Sequence, residues 1–171
     1  MSAFTDQLES LNACRDAVRW VGERDLPTAW MQCERGDWML WLAAKVKIDR
    51  KLVVLAACDC AELAWPYVKR AETLQAAKSC VKVTREWCEG RADIEDVRKA
   101  RAYAAADYAA YAAADYAAYA AAAAAYAAAA ADAADAADAA AARAKVLSEC
   151  ATLVRARISV ETIVNAMKEA A

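Results

Sequence analysis

The chain has 171 residues and a formal net charge of −2, length enough for one ordinary domain with a buried core. Glycine occurs three times and proline twice, too few turn formers for a hairpin-rich sheet protein, so composition points to an all-α fold. The balanced charge gives no global attraction to nucleic acid or an anionic membrane, and no apolar run reaches the ~18 residues needed to span a bilayer.

The N-terminal segment Met1-Ser-Ala-Phe-Thr-Asp-Gln lacks the basic start and apolar stretch of a secretory signal, which predicts a cytoplasmic protein. Phe4, Leu8, Leu11, Val18 and Val21 recur at helical spacing and predict a first helix ended by Gly22. Asp25 is placed to cap a second helix, with Pro27 in its first turn and Gly36 at its close. Asp37 is placed to cap a third, from Trp38 to Val46, in which Trp38, Trp41 and Leu42 form a stripe expected to bury against the following helix. Arg35, Asp37, Lys45, Asp49 and Arg50 are expected to form a charged network that fixes the turns.

Asp49 then caps a helix with Leu52, Leu55, Ala56, Cys60, Leu63 and Tyr67 on one face. Val53, Val54 and Ala57 make its first half apolar nearly all round, which predicts a position in the middle of the bundle. Pro66 lies near its end, and Leu74, Ala77, Val81 and Trp87 mark a fifth helix terminated by Gly90. Trp20, Trp30, Trp65 and Trp87 read as core or half-exposed packing residues. Exposure of one of them beside Arg35 and Lys45 would make that patch the better partner site.

Asp93 opens the next helix, with Glu95 and Asp96 favourable at its positive end. From Ala102 to Ala142 only alanine, tyrosine and aspartate occur, and Tyr103-Ala-Ala-Ala-Asp107-Tyr108-Ala-Ala is followed at once by a second copy from Tyr111, with a decayed third from Tyr119. Alanine loses no side-chain entropy on folding, so this run reads as helix. Unbroken from Asp93 to Arg157 it would extend about 100 Å, too long for a compact domain of this size, so a break is expected with Asp132, Asp135 or Asp138 as the new cap. Leu147, Cys150, Val154 and Ile158 restore an apolar stripe suited to a helix returning to the core, and Ser159 can cap a final helix carrying Val160, Ile163, Val164 and Met167.

An eight-residue period advances about 80° per copy, so the tyrosines form a wandering stripe in which Tyr108 meets Tyr111 and Tyr116 meets Tyr119. One reading is a packing helix faced with alanine. The other is an acidic, aromatic partner surface made by Tyr103, Asp107, Tyr108, Tyr111, Asp115, Tyr116 and Tyr119, which would favour a basic partner.

The string Cys33-Glu-Arg-Gly-Asp-Trp-Met-Leu-Trp-Leu-Ala-Ala-Lys45, followed by Asp49-Arg-Lys-Leu and then by the Ala/Tyr/Asp-rich helix, resembles the Imm-5-like family of bacterial and phage immunity proteins over most of the chain. The resemblance implies an all-helical cytosolic protein that neutralises a toxin, and it brings no binding residues with it.

Catalysis has little sequence support. Histidine, the commonest general base and metal ligand, is absent, and no Gly-rich phosphate loop, G-x-S-x-G elbow or Cys/His couple occurs. The carboxylate pair Asp59 and Glu62 reads as a solvated face. Seven cysteines without compact paired spacing fit reduced, mostly buried thiols, and Cys58 and Cys60 point about 160° apart on a helix, which argues against a metal pair. Arg91, Arg98, Lys99 and Arg101 form a modest basic cluster, but aspartates adjoin it.

The sequence thus predicts a single helical domain. Residues 1–91 form a bundle of short amphipathic helices, 92–158 one or two long Ala-rich helices with a break near 132–138, and 159–171 a short terminal helix. The expected function is non-enzymatic protein binding, to a toxin as an immunity-type inhibitor, or to further copies of the chain as a self-assembling structural protein. No cofactor, metal, nucleic acid or membrane is expected, and the oligomeric state stays open.

Overall fold

The computed structural model describes residues 3–68, 71–105 and 136–170. Every regular element among them is helical: α1 (Ala3–Ser10), α2 (Arg15–Val21), α3 (Leu26–Gln32), α4 (Gly36–Lys45), α5 (Arg50–Glu62), a 3₁₀ turn (Trp65–Tyr67), α6 (Ala71–Cys88), α7 (Ile94–Ala105), α8 (Ala136–Arg157) and α9 (Val160–Ala170). The all-α expectation holds, and no helix among the described residues is long and apolar enough to cross a membrane.

Most predicted caps form. The Asp25 carboxylate accepts from the Thr28 N–H at 2.8 Å, that of Asp49 from Leu52 at 3.0 Å, and the Ser159 hydroxyl from Thr162 at 3.3 Å. Asp93 and Asp96 cap reciprocally, each carboxylate accepting the other's backbone N–H, so donors that the first turn leaves unpaired are satisfied. Gly22 ends α2, its N–H bonding to the Val18 carbonyl.

Three expectations about the first fifty residues are corrected. The first predicted helix is two, because Asn12 takes a left-handed φ of 62° and the Ala13 N–H bonds back to the Leu8 carbonyl. Gly36 does not close α3, which stops at Gln32; it is the first residue of α4. Asp37 consequently caps nothing and lies inside the first turn of α4.

The core is built on α5 and α8. Val53, Val54, Ala56, Ala57, Cys58 and Cys60 are buried around α5, as its apolar first half requires. The predicted stripe of Leu147, Cys150 and Val154 on α8 and Ile158 just beyond its end is buried throughout, and Ile163 and Met167 of α9 join it. Cys60 and Cys58 diverge as their spacing demands, Cys60 donating to the Cys150 carbonyl at 3.7 Å while Cys58 packs in a satellite cluster with Val54 and Cys88. All seven cysteines are free thiols.

Of the expected helix break, Asp132 and Asp135 lie outside the described residues, and Asp138 falls within α8.

Candidate functional site

The site is built on α4 and the turn before it. Helix α4 buries Met39, Leu40, Leu42 and Ala43 and packs on α8 as well as α5. The approach to α8 is close at Gly36, where a Cβ would stand 2.5 Å from the Cys150 Cβ and 2.8 Å from the Ala151 nitrogen. Only a residue without a side chain lets the start of α4 sit there. From across the bundle, the Arg155 guanidinium donates to the carbonyls of Cys33 at 2.7 Å and Trp30 at 3.4 Å, satisfying acceptors at the C-terminal end of α3. The indole N–H of the buried Trp30 donates to the Ile158 carbonyl at 3.3 Å.

With its inner face committed to the core, α4 turns Trp38 and Trp41 outward, and both stay half-buried. The expected burial is met in part: Leu42 is buried, while the two indoles are partly buried and pack against the edge of the core cluster to which α5 contributes. Trp38 meets Trp20 of α2 edge to face, ring centroids 6.2 Å apart and planes at 61°. Each of these rings carries a cation over it. Arg35 lies 4.2 Å from the Trp38 centroid, Arg24 lies 4.8 Å from that of Trp20, and the Lys45 ammonium lies 5.8 Å from that of Trp41. Arg35 is fixed further by Asp37, to which Nε and Nη2 donate at 2.9 and 2.6 Å, and this bond raises the Arg35 pKa above its ordinary value.

Behind this face lies a cavity of about 580 Å³ between α1, α2, α3 and α4. The buried Phe4, Leu8, Trp30 and Met39 make its floor, and the half-buried Trp20 and Trp38 its rim. Arg35, Asp37 and Arg143 supply the charge along its lining.

The predicted network of Arg35, Asp37, Lys45, Asp49 and Arg50 does not form as one unit. Arg35 and Asp37 pair on the cavity wall, Lys45 stacks on Trp41, Asp49 caps α5, and Arg50 lies 5.9 Å from the Trp87 ring centroid on α6. Asp59 and Glu62 are likewise no solvated pair. Arg85 bonds both at 2.7 Å, and Arg157 grips Asp59 with Nε at 2.6 Å and Nη2 at 3.1 Å, tying α5 to α6 and α8. In the basic cluster Arg91 pairs with Glu89 and Arg98 with Glu95.

Tyr103 falls in the last turn of α7, while Asp107, Tyr108, Tyr111, Asp115, Tyr116 and Tyr119 lie outside the described residues. Among the described residues no cluster of three or more acidic or cysteine side chains is arranged to hold a metal ion.

Trp20 and Arg24 belong to the site although sequence reasoning placed Trp20 among packing residues. The signal available was spacing: Trp20–Arg24 and Trp41–Lys45 are both aromatic and cation four apart. No local pattern announces Arg155 or Arg157, whose partners lie about a hundred residues away in sequence. Comparison with protein-family models, curated proteins and solved structures finds no match.

Proposed function

We propose that the chain is a non-enzymatic protein-binding module, an immunity-type inhibitor that occludes a toxin, and that it engages this partner through the tryptophan face of α2 and α4. The observation that supports this reading is the set of half-buried tryptophans, Trp20, Trp38 and Trp41, each with a cation stacked over its ring. Tryptophan and arginine carry a disproportionate share of binding energy at protein interfaces, because each covers a large area in a few rotamers. Trp20 and Trp38 lean on each other and on the guanidinium groups of Arg24 and Arg35, so these two rings have little freedom left to lose on association. The stacked cations favour an apolar partner patch rimmed by carboxylates.

The reading is tested by expressing, in a bacterial host, a partner captured with the tagged full chain. The partner alone should arrest growth, and co-expression of the wild-type chain should restore it. The double variant Arg35→Gln, Trp38→Ala should fold yet fail to restore growth. A harmless partner, or full rescue by the double variant, would overturn the proposal, and recovery of the chain alone as a stable oligomer would favour self-assembly.

A further inference from the structure

Resting on the protein-binding reading and extending its surface, we propose that the turn from α4 to α5 is a second contact zone, where Lys45, Lys47 and Lys51 form a cationic ridge that takes a carboxylate-rich patch of the partner protein. The carrying observation is the backbone at Lys47. Its N–H bonds to the Ala44 carbonyl and that of Ile48 to the Ala43 carbonyl, the pair of bonds that closes a helix through a left-handed residue, and Lys47 holds that position at a φ of 59°. Glycine suits such a position, because a Cβ there is strained against the backbone. Nothing among the described residues offsets this strain. The exposed Lys47 side chain makes no hydrogen bond, ion pair or ring contact with them, and Lys45 already supplies the cation that the C-terminal end of α4 favours.

Burial alternates through the turn. Val46 and Ile48 are buried in the core, which holds Lys45 and Lys47 outward, and Lys51 is exposed in the first turn of α5. Two of the three are steadied by rings: the Lys45 ammonium lies 5.8 Å from the Trp41 centroid and that of Lys51 lies 5.9 Å from that of Trp87. None of the three forms an ion pair with a described residue. Of the carboxylates that share the surroundings of Cys88 with Lys51, Asp49 caps α5 and Glu89 pairs with Arg91. Three ammoniums between positions 45 and 51 are thus a local excess of positive charge on a chain of net charge −2, and a carboxylate-rich patch complements it. A nucleic acid strand fits less well. It gains from stacking bases on open rings, whereas Trp41 and Trp87 are half-buried with cations over them, and its charge runs on past the ridge along a net negative chain.

The test titrates the folded full chain with a fluorescein-labelled oligoglutamate peptide, and in parallel with an oligothymidylate of equal charge, at an ionic strength of about 0.01 M, where charges are screened little. The peptide should bind saturably and more tightly than the oligothymidylate. Lys47→Gly should do two opposite things: raise the melting temperature by about 2–4 °C, because the strain at φ is relieved, and weaken the peptide about threefold. The triple variant Lys45→Gln, Lys47→Gly, Lys51→Gln should weaken it at least tenfold, while Lys168→Gln on α9 should stay within about twofold of wild type. Absence of saturable peptide binding, tighter binding of the oligothymidylate, or a Lys47→Gly chain that binds as wild type or melts no higher would each overturn the proposal. Arg35→Gln, Trp38→Ala leaves the ridge intact and should keep the peptide within about twofold of wild type, so the ridge and the tryptophan face that growth rescue tests fail separately.

Discussion

Gly36 shows how one atom sets the position of a whole face. A Cβ there would press into backbone and Cβ atoms of α8 rather than into the end of a flexible side chain, so relief requires the helices to part. Gly36→Ala should therefore destabilise the fold by about 3 kcal/mol, near the upper end for overpacking, lowering the melting temperature by roughly 6–12 °C. Gly90→Ala makes an informative control. No atom lies within 4 Å of its added Cβ, and the penalty is only the φ of 78°, so the loss should be about 1 kcal/mol in the same thermal melt. The thiols give a second residue-scale prediction. Burial pushes the Cys58 thiol up to about 12, and the hydrogen bond with Cys150 together with burial raises that of Cys60. A thiol reagent at about pH 8 should label the exposed Cys14 fastest, with Cys58 and Cys60 reacting only on unfolding.

At the scale of elements, the joint between α5, α6 and α8 turns on Asp59. Burial works to raise its pKa, but the hydrogen bonds from Arg157 and Arg85 outweigh this and hold the carboxyl below its ordinary value. A depressed folded-state value means that the stabilisation is fully present above the unfolded value of about 3.9 and is lost as pH falls through the lower folded value. Asp59→Asn should lower stability at neutral pH and flatten the acid limb of a urea-midpoint profile below about pH 4, whereas a limb unchanged from wild type would show that other carboxylates control it. Helix existence and most caps were legible because they depend on neighbours within four residues: Asp25, Asp49, Asp93 and Ser159 each act within their own first turn. The break at Asn12 was hidden, since a left-handed asparagine leaves the apolar spacing of Phe4 to Val21 intact. Gly36 was misread for a related reason, because its role depends on Cys150 and Ala151, more than a hundred residues away.

For the whole molecule, the decisive point is which face of α4 the core takes. Periodicity alone made Trp38, Trp41 and Leu42 one stripe, but α8 packs on α4 and the core takes Met39, Leu40, Leu42 and Ala43, leaving the indoles half-buried at its edge with their cations. The candidate site was therefore half legible: Trp20, Arg35, Trp38, Trp41 and Lys45 were named but Arg24 was not, and their direction was set by a helix whose packing no local spacing encodes. The acidic repeat, which lies outside the described residues from Asp107 to Tyr119, is the alternative that the sequence raises, and the two readings make opposed predictions for a captured partner. The most direct measurement is a calorimetric titration of the purified partner with wild type, with Trp38→Ala, and with Asp107→Lys, Asp115→Lys. An account centred on the tryptophan face predicts that Trp38→Ala weakens binding by about 30-fold or more, roughly 2 kcal/mol, while the repeat variant stays within about threefold of wild type. Loss of binding in the repeat variant with Trp38→Ala unaffected would contradict it.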